Sequence, residues 1–118
     1  MRDYTKYQVW VDSVEFSVSI YKMTKGFPVD EKFGLISQMR RSSVSIASNI
    51  AEGASRSSEK EFSRFIEIAM GSSFELKTQL IISKKLKYIQ EENFSNLLIK
   101  VDEISKQLNA LRKTIKKL

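Results

Sequence analysis

The chain has 118 residues, with 20 Lys and Arg against 14 Asp and Glu, one proline, four glycines, and neither cysteine nor histidine. That length suits one domain, 1–118, able to bury roughly two-thirds of its unfolded-chain surface, and the missing residue types exclude disulfides, thiolate catalysis, zinc–thiolate sites and histidine acid–base chemistry. No apolar run nears the roughly 18–20 residues of a membrane span, and the start, with Asp3 among its first residues, lacks a secretory pattern, so a cytoplasmic protein without cofactor or enzymatic activity is expected.

With so little punctuation the apolar spacing is helical almost throughout, which predicts an all-α protein. The first helix is expected over about 6–25, with Trp10, Val14, Val18 and Tyr21 at spacings of four, four and three, and Gly26, Phe27 and Pro28 end it. Asp30 reads as the N-cap of a second helix that carries Ile36, Met39, Ser43, Ile46 and Ile50 as far as Gly53, a C-cap. A third opens on a capping box, Ser58 with Glu61, and carries Phe62, Phe65, Ile66, Ala69, Leu76 and Leu80 toward Lys87. The pattern breaks over 88–92. A fourth series follows, Phe94, Leu97, Leu98, Val101, Ile104, Leu108, Leu111 and Ile115, spaced like a bundle seam. Four helices of about 20–30 residues joined by short turns predict an up-down-up-down antiparallel four-helix bundle. The sequence contains no internal repeat, linker or low-complexity segment.

Charge is missing where a solvated helix would carry it. Between Arg41 and Glu52 lie ten residues without a single charge. At 100° per residue, Gln38, Arg41, Ser45, Asn49 and Glu52 share a narrow stripe apart from the Met39–Ile46–Ile50 stripe. The third helix has a similar stretch from Ile68 to Phe74, in which Gly71 sits mid-helix at a cost of about 1 kcal/mol relative to alanine and Ser72 and Glu75 lie close by. Tight packing inside the bundle and a subunit interface both fit these faces. The interface reading assigns Gln38, Arg41, Ser45, Asn49, Glu52, Gly71, Ser72 and Glu75 to contacts between copies. A catalytic pair, Glu52 with Glu75, lacks a nucleophile or a ligand cluster nearby.

Net charge is +6, and its placement along the sequence is uneven. Residues 1–76 hold ten basic and ten acidic side chains, whereas 77–118 hold ten and four. Lys84, Lys85 and Lys87 end the third helix; Lys106, Lys113 and Lys117 share a stripe of the fourth, with Arg112 and Lys116 alongside. Such cations complement helix C-termini and solvate exposed faces. They equally form a footprint suited to an RNA or DNA backbone, which is the assignment made for these eight residues. Near the start, Arg2, Tyr4, Lys6, Tyr7 and Trp10 interleave bases with aromatics able to cap the core or to stack on nucleotides.

The run from Gln38 through Asn49 to Gly53, followed by Glu61-Phe62, Phe65, Ile68-Ala69, Gly71-Ser72, Glu75-Leu76 and Thr78-Gln79-Leu80, resembles the bacterial four-helix bundle family first met as proteins encoded in intervening sequences of large-subunit ribosomal RNA. Trp10, Tyr21, Phe27-Pro28 and Tyr88-Ile89 fit the same pattern, so the resemblance covers nearly the whole chain. The family includes the accessory variability determinant of diversity-generating retroelements. That resemblance implies a barrel of five bundles that binds nucleic acid and works beside a reverse transcriptase. The expectation is a non-enzymatic homo-oligomer, pentameric by resemblance, that binds RNA or DNA through its basic surface with little sequence preference. The alternative is a protein-interaction scaffold whose charge serves solubility alone.

Overall fold

Local hydrogen-bond chemistry at the chain's few breaks decides where each helix begins and ends. The computed structural model describes residues 2–116, the side chain of the last excepted. Those residues form α1 (Gln8–Thr24), α2 (Leu35–Ala54), α3 (Glu59–Lys85) and α4 (Glu91–Lys116), with 3₁₀ turns at Tyr4–Lys6 and Val29–Glu31 and no strand. Each helix packs antiparallel on the next, α2 against α3 most extensively, and α1 against α4 closes the ring with the thinnest seam. This is the up-down-up-down bundle that the periodicity predicts. Its extents of 45 × 24 × 19 Å follow from helix length, since the 27 residues of α3 span about 40 Å. No helix among the described residues is long and apolar enough to cross a membrane.

The serine half of the Ser58 capping box forms, its hydroxyl accepting from the Glu61 N–H at 3.1 Å to start α3, whereas the Glu61 carboxylate meets the Ser58 hydroxyl at 3.4 Å in place of the Ser58 N–H. Two other boundary expectations need correction. Asp30 does not cap α2, because Pro28 opens a 3₁₀ turn that contains Asp30, and the helix waits for Gly34. The Glu31 carboxylate then accepts from the Leu35 N–H at 3.2 Å, and it fills the space that a Cβ at Gly34 would need, with Oε1 at 2.5 Å from that position. Gly53 does not end α2 either; it lies inside the last turn, buried, and Ser55 is the C-cap. The third helix stops two residues short of the expected Lys87, which adopts φ +65° while the Tyr88 N–H bonds back to the Ser83 carbonyl at 3.0 Å. That is a Schellman stop built on lysine where glycine is usual.

The core runs down the middle through Ile20, Met39, Ile46, Ile50, Ile66, Leu76, Leu80, Val101 and Leu108, all fully buried. In α1 it is Val9, Ser13, Phe16, Ile20 and Thr24 that turn inward. The expected stripe Val14, Val18 and Tyr21 faces outward, because α1 carries apolar residues on two adjacent stripes and the one with Phe16 and Ile20 takes the interior. Most buried serines and the buried threonine are tolerated because the hydroxyl finds a carbonyl one turn back, as with Ser13 to Val9 at 2.6 Å, Thr24 to Ile20 at 2.7 Å and Ser83 to Gln79 at 2.8 Å; Ser63 differs, its hydroxyl buried without a partner among the described residues.

At Gly53 a Cβ would lie 2.6 Å from the Phe65 Cβ and 3.3 Å from the Phe62 carbonyl oxygen. Gly53→Ala gains about 1 kcal/mol of helix propensity, but it must push α2 off α3, an overpacking cost of about 1–3 kcal/mol. A net loss of about 0–2 kcal/mol is expected by chemical denaturation followed by circular dichroism. A variant more stable than wild type would contradict this account of the seam.

Candidate nucleic-acid and assembly surfaces

Small polar residues hold the α2–α3 seam together from within one chain. The Ser45 and Ser72 hydroxyls pair at 2.9 Å, and the Asn49 amide donates to the Ser45 carbonyl at 2.8 Å and to its hydroxyl at 2.9 Å. Ser42 donates to Glu75 at 2.8 Å. Of the stripe assigned from sequence to subunit contacts, Ser45, Asn49 and Ser72 are thus engaged inside the bundle, whereas Gln38, Arg41, Glu52 and Gly71 are exposed. Glu52 pairs with Arg56 one turn on, at 3.1 Å. Because Ser42 faces Glu75 and Gly53 faces Phe65, Glu52 and Glu75 stand about ten residues apart along the seam, roughly 15 Å. They cannot act on one reacting bond. Among the described residues no three carboxylates gather as they would to hold a metal ion.

Nothing inside the chain explains Gly71, whose Cβ position has no atom within 4 Å. It sits on an outer face of α3 with Phe74 (54% exposed), Ile81 and Ile82. A second apolar face lies on the other side of α2, where Val14, Val18 and Tyr21 of α1 meet Val44 and Ala47 of α2 in a shallow groove of about 530 Å³. Lys22 and Lys25 rim it. The sequence marks part of the first face, through Gly71 and the uncharged stretch up to Phe74, and misses the second, whose Val14, Val18 and Tyr21 it places on the core stripe. The signal for the first was present, since a helix apolar over more than half its circumference has more apolar surface than one bundle core covers.

The eight cations assigned to nucleic acid do not converge. Lys84, Lys85 and Lys87 lie at the end of the bundle where α3 finishes and α4 starts, whereas Lys106, Arg112 and Lys113 lie in the half of α4 nearer the opposite end. The Lys116 side chain and the whole of Lys117 fall outside the described residues. Ion pairing divides the group further. Lys84 binds Glu91 and lies over the Phe94 ring. Arg112 pairs with Glu67 at 3.4 Å and donates to Asn109 at 2.9 Å. Lys85, Lys87, Lys106 and Lys113 are exposed and have no carboxylate partner among the described residues. The first of these ends also carries Lys22, Lys25, Lys32, Arg40, Arg41 and Lys100 against Asp30, Glu31, Glu91 and Glu92, which makes it the more cationic.

The basic–aromatic start is consumed by packing. Arg2 ion-pairs with Glu59, lies over the Phe62 ring and donates to the Arg56 carbonyl at 2.7 Å. Tyr4 meets Trp10 edge-on at 5.2 Å, and Tyr7 stacks on Phe62. At the far end the Tyr88 hydroxyl donates to Glu31 at 3.0 Å, which raises its pKa above the usual tyrosine value and keeps the proton in place.

A profile of the 23S rRNA-intervening sequence protein family matches residues 5–110. Among solved structures, the chain is similar to a protein of unknown function from the S23 ribosomal protein family of Bacteroides thetaiotaomicron VPI-5482, with a TM-score of 0.83 and 29% identity over 89% of this chain and 95% of that one. No curated protein matches the chain.

Lys84 holds the Glu91 carboxyl below the usual glutamate value of 4.5, first through its hydrogen bond and then through its charge. A carboxyl depressed in the native state stabilises the fold above the unfolded value, and that contribution is lost as pH falls through the depressed one. The Glu91 carboxyl carbon is therefore expected to titrate below 4.5 by NMR and to move up in Lys84→Ala. A native midpoint at or above 4.5 would contradict the pairing.

Proposed function

Because the chain belongs to the 23S rRNA-intervening sequence protein family, we propose that it is a non-enzymatic, homo-oligomeric bundle of the cytoplasm that binds RNA or DNA through a basic surface with little sequence preference. The observation that carries the nucleic-acid part is the cationic end of the bundle, where Lys22, Lys25, Lys85, Lys87 and Lys100 stand without carboxylate partners among the described residues. Complementing helix dipoles does not account for so many. In an antiparallel bundle two N-termini and two C-termini share each end, so their partial charges largely cancel. Lysines on exposed helix surface meet phosphate more readily than base edges, which supports low specificity.

Assembly rests on the two apolar faces. Val14, Val18, Tyr21 and Val44 on one side, and Phe74, Ile81 and Ile82 on the other, leave two separate exposed apolar surfaces on a small bundle. Two different faces also allow a head-to-tail contact that closes into a ring, for which the family resemblance implies five copies. The same faces would serve a scaffold that docks another protein, such as a reverse transcriptase.

Light scattering at micromolar concentration is expected to give a multiple of 13.6 kDa. Phe74→Glu or Val18→Glu should bring the mass down to the monomer without loss of helix, since an unpaired buried charge costs several kcal/mol. A wild-type monomer across that range would refute the assembly.

Binding to single- or double-stranded nucleic acid is expected at micromolar Kd or tighter near 50 mM salt, with each engaged lysine adding about 0.7–0.9 to the slope of log K against log salt. Lys85→Glu with Lys87→Glu should weaken every sequence alike and flatten that slope, whereas Lys84→Ala should do less because Glu91 already holds its charge. Should wild type bind neither form at that salt, the scaffold reading takes its place.

A further inference from the structure

Along the α1–α4 seam the lining changes sign. At mid-length Asp12, Glu15 and Glu103 line a narrow cleft of about 140 Å³, with Lys100 at its edge. Toward the α3–α4 turn the seam opens into a groove of about 580 Å³ lined by Lys22, Lys100, the amides of Gln90, Asn93 and Asn96, and no carboxylate. Met23, Ile89 and Leu97 supply apolar lining. Tyr88 adds an aromatic wall fixed in place, with its hydroxyl on Glu31 at 3.0 Å and its ring 5.3 Å from Phe27.

The amides are the unusual part. Of the nine Asn and Gln side chains in the chain, Gln8, Asn49, Gln79, Gln107 and Asn109 hydrogen-bond to other side chains or to backbone. Three of the four that find no such partner among the described residues share this groove.

We propose that the groove seats one nucleotide of an unpaired RNA or DNA strand, with its phosphate at Lys22 and Lys100 and its base edge on the Asn93 and Asn96 amides. Two cations without a carboxylate select an anion, and the carboxylates farther along the seam repel it, so the phosphate is confined to this end. A bare phosphate only accepts hydrogen bonds. Amides donate and accept, as a base edge does, and they match a ligand that offers both. The apolar lining and the held tyrosine ring suit a flat base, because stacking tolerates any sequence and a fixed ring loses little entropy on binding. The volume lies within the range of small-ligand sites. This inference rests on the nucleic-acid reading above and adds a place and a base contact to it.

The test has two arms on the full chain. In the first, NMR follows the side-chain amides of Asn93 and Asn96 during titration with adenosine 5′-monophosphate, uridine 5′-monophosphate and inorganic phosphate. Shifts centred on this groove that are larger for at least one nucleotide than for phosphate are expected; shifts no larger than those from phosphate, or spread evenly over the basic surface, overturn the proposal. In the second, fluorescence anisotropy measures short labelled homopolymer strands. Asn93→Ala with Asn96→Ala, both exposed positions, should cost about tenfold on the tightest homopolymer, the size of one good base contact, and leave the salt slope unchanged. Lys22→Ala with Lys100→Ala should weaken all strands and lower the slope by about 1–2. If the asparagine variant matches wild type on every strand that wild type binds, the groove is refuted while general nucleic-acid binding stands. If wild type binds no strand, the broader reading fails as well, and the mononucleotide arm still decides the groove.

Discussion

The close approach of α2 to α3 is the constraint on which the remaining architecture depends. Serine and glycine make it possible, because only small side chains let two helix backbones come near enough for hydroxyls to bridge them. Ser42 to Glu75 and Ser45 to Ser72 set the register, and Gly53 seated against Phe65 fixes its end. A one-residue slip would break both hydroxyl contacts and drive a Cβ into α3. With that pair locked, α4 packs on the far side of α3 through Ser73 and Ser105, and α1 packs on α2 through Ser17 and Ser43, so hydroxyl bridges recur at each sequential seam. Their net stabilisation is modest, about 1 kcal/mol apiece. Their main effect is on specificity, since a hydroxyl left unpaired in the core costs more than the bond yields.

The seam also governs what the surface presents. Small residues spent between α2 and α3 leave the outward stripes to Val44, Ala47, Gly71 and Phe74, and α1 adds Val14 and Val18 to the same exterior. Charge is displaced to the ends and to α4. The molecule therefore has apolar flanks and one strongly cationic end, which allows self-association along the sides to leave that end free for other contacts.

Much of this was legible in the sequence, and the misses have identifiable causes. Ser58 with Glu61 was a sufficient local signal for the start of α3 because both partners lie within one turn. Asp30 misled because it has the right chemistry at the wrong place: Pro28 commits the next residues to a 3₁₀ turn, and the cap comes from Glu31 across Gly34. Gly53 looked like a stop, yet it is a packing residue, and glycine serves either purpose with the same letter. The outward stripe of α1 was mistaken for core because periodicity finds apolar stripes without saying which of two neighbours turns inward. Clustering of basic residues along the sequence did not survive folding either, since α3 and α4 run in opposite directions and carry Lys85 and Lys113 to opposite halves of a 45 Å molecule. Ion pairs such as Lys84 with Glu91 join residues on two helices across a turn, where helix spacing gives no guide.

The thin α1–α4 seam has a thermodynamic consequence of its own. Among the described residues it is the one contact between long helices that are not neighbours in sequence, spanned by a hydrogen bond from Gln107 to Asp12 at 3.0 Å across 95 positions. The other three helix pairs meet through short connections and close little loop entropy, so the docking of the first helix on the fourth closes the longest loop in the fold. Such a joint is where partial opening costs least. A ligand seated in the seam would bind the closed form better than the open one and, by mass action, would tighten the whole ring. Ligand concentration would then act on this bundle as a clasp, and its effect would be read in the exchange rates of α1 amides far from the groove itself.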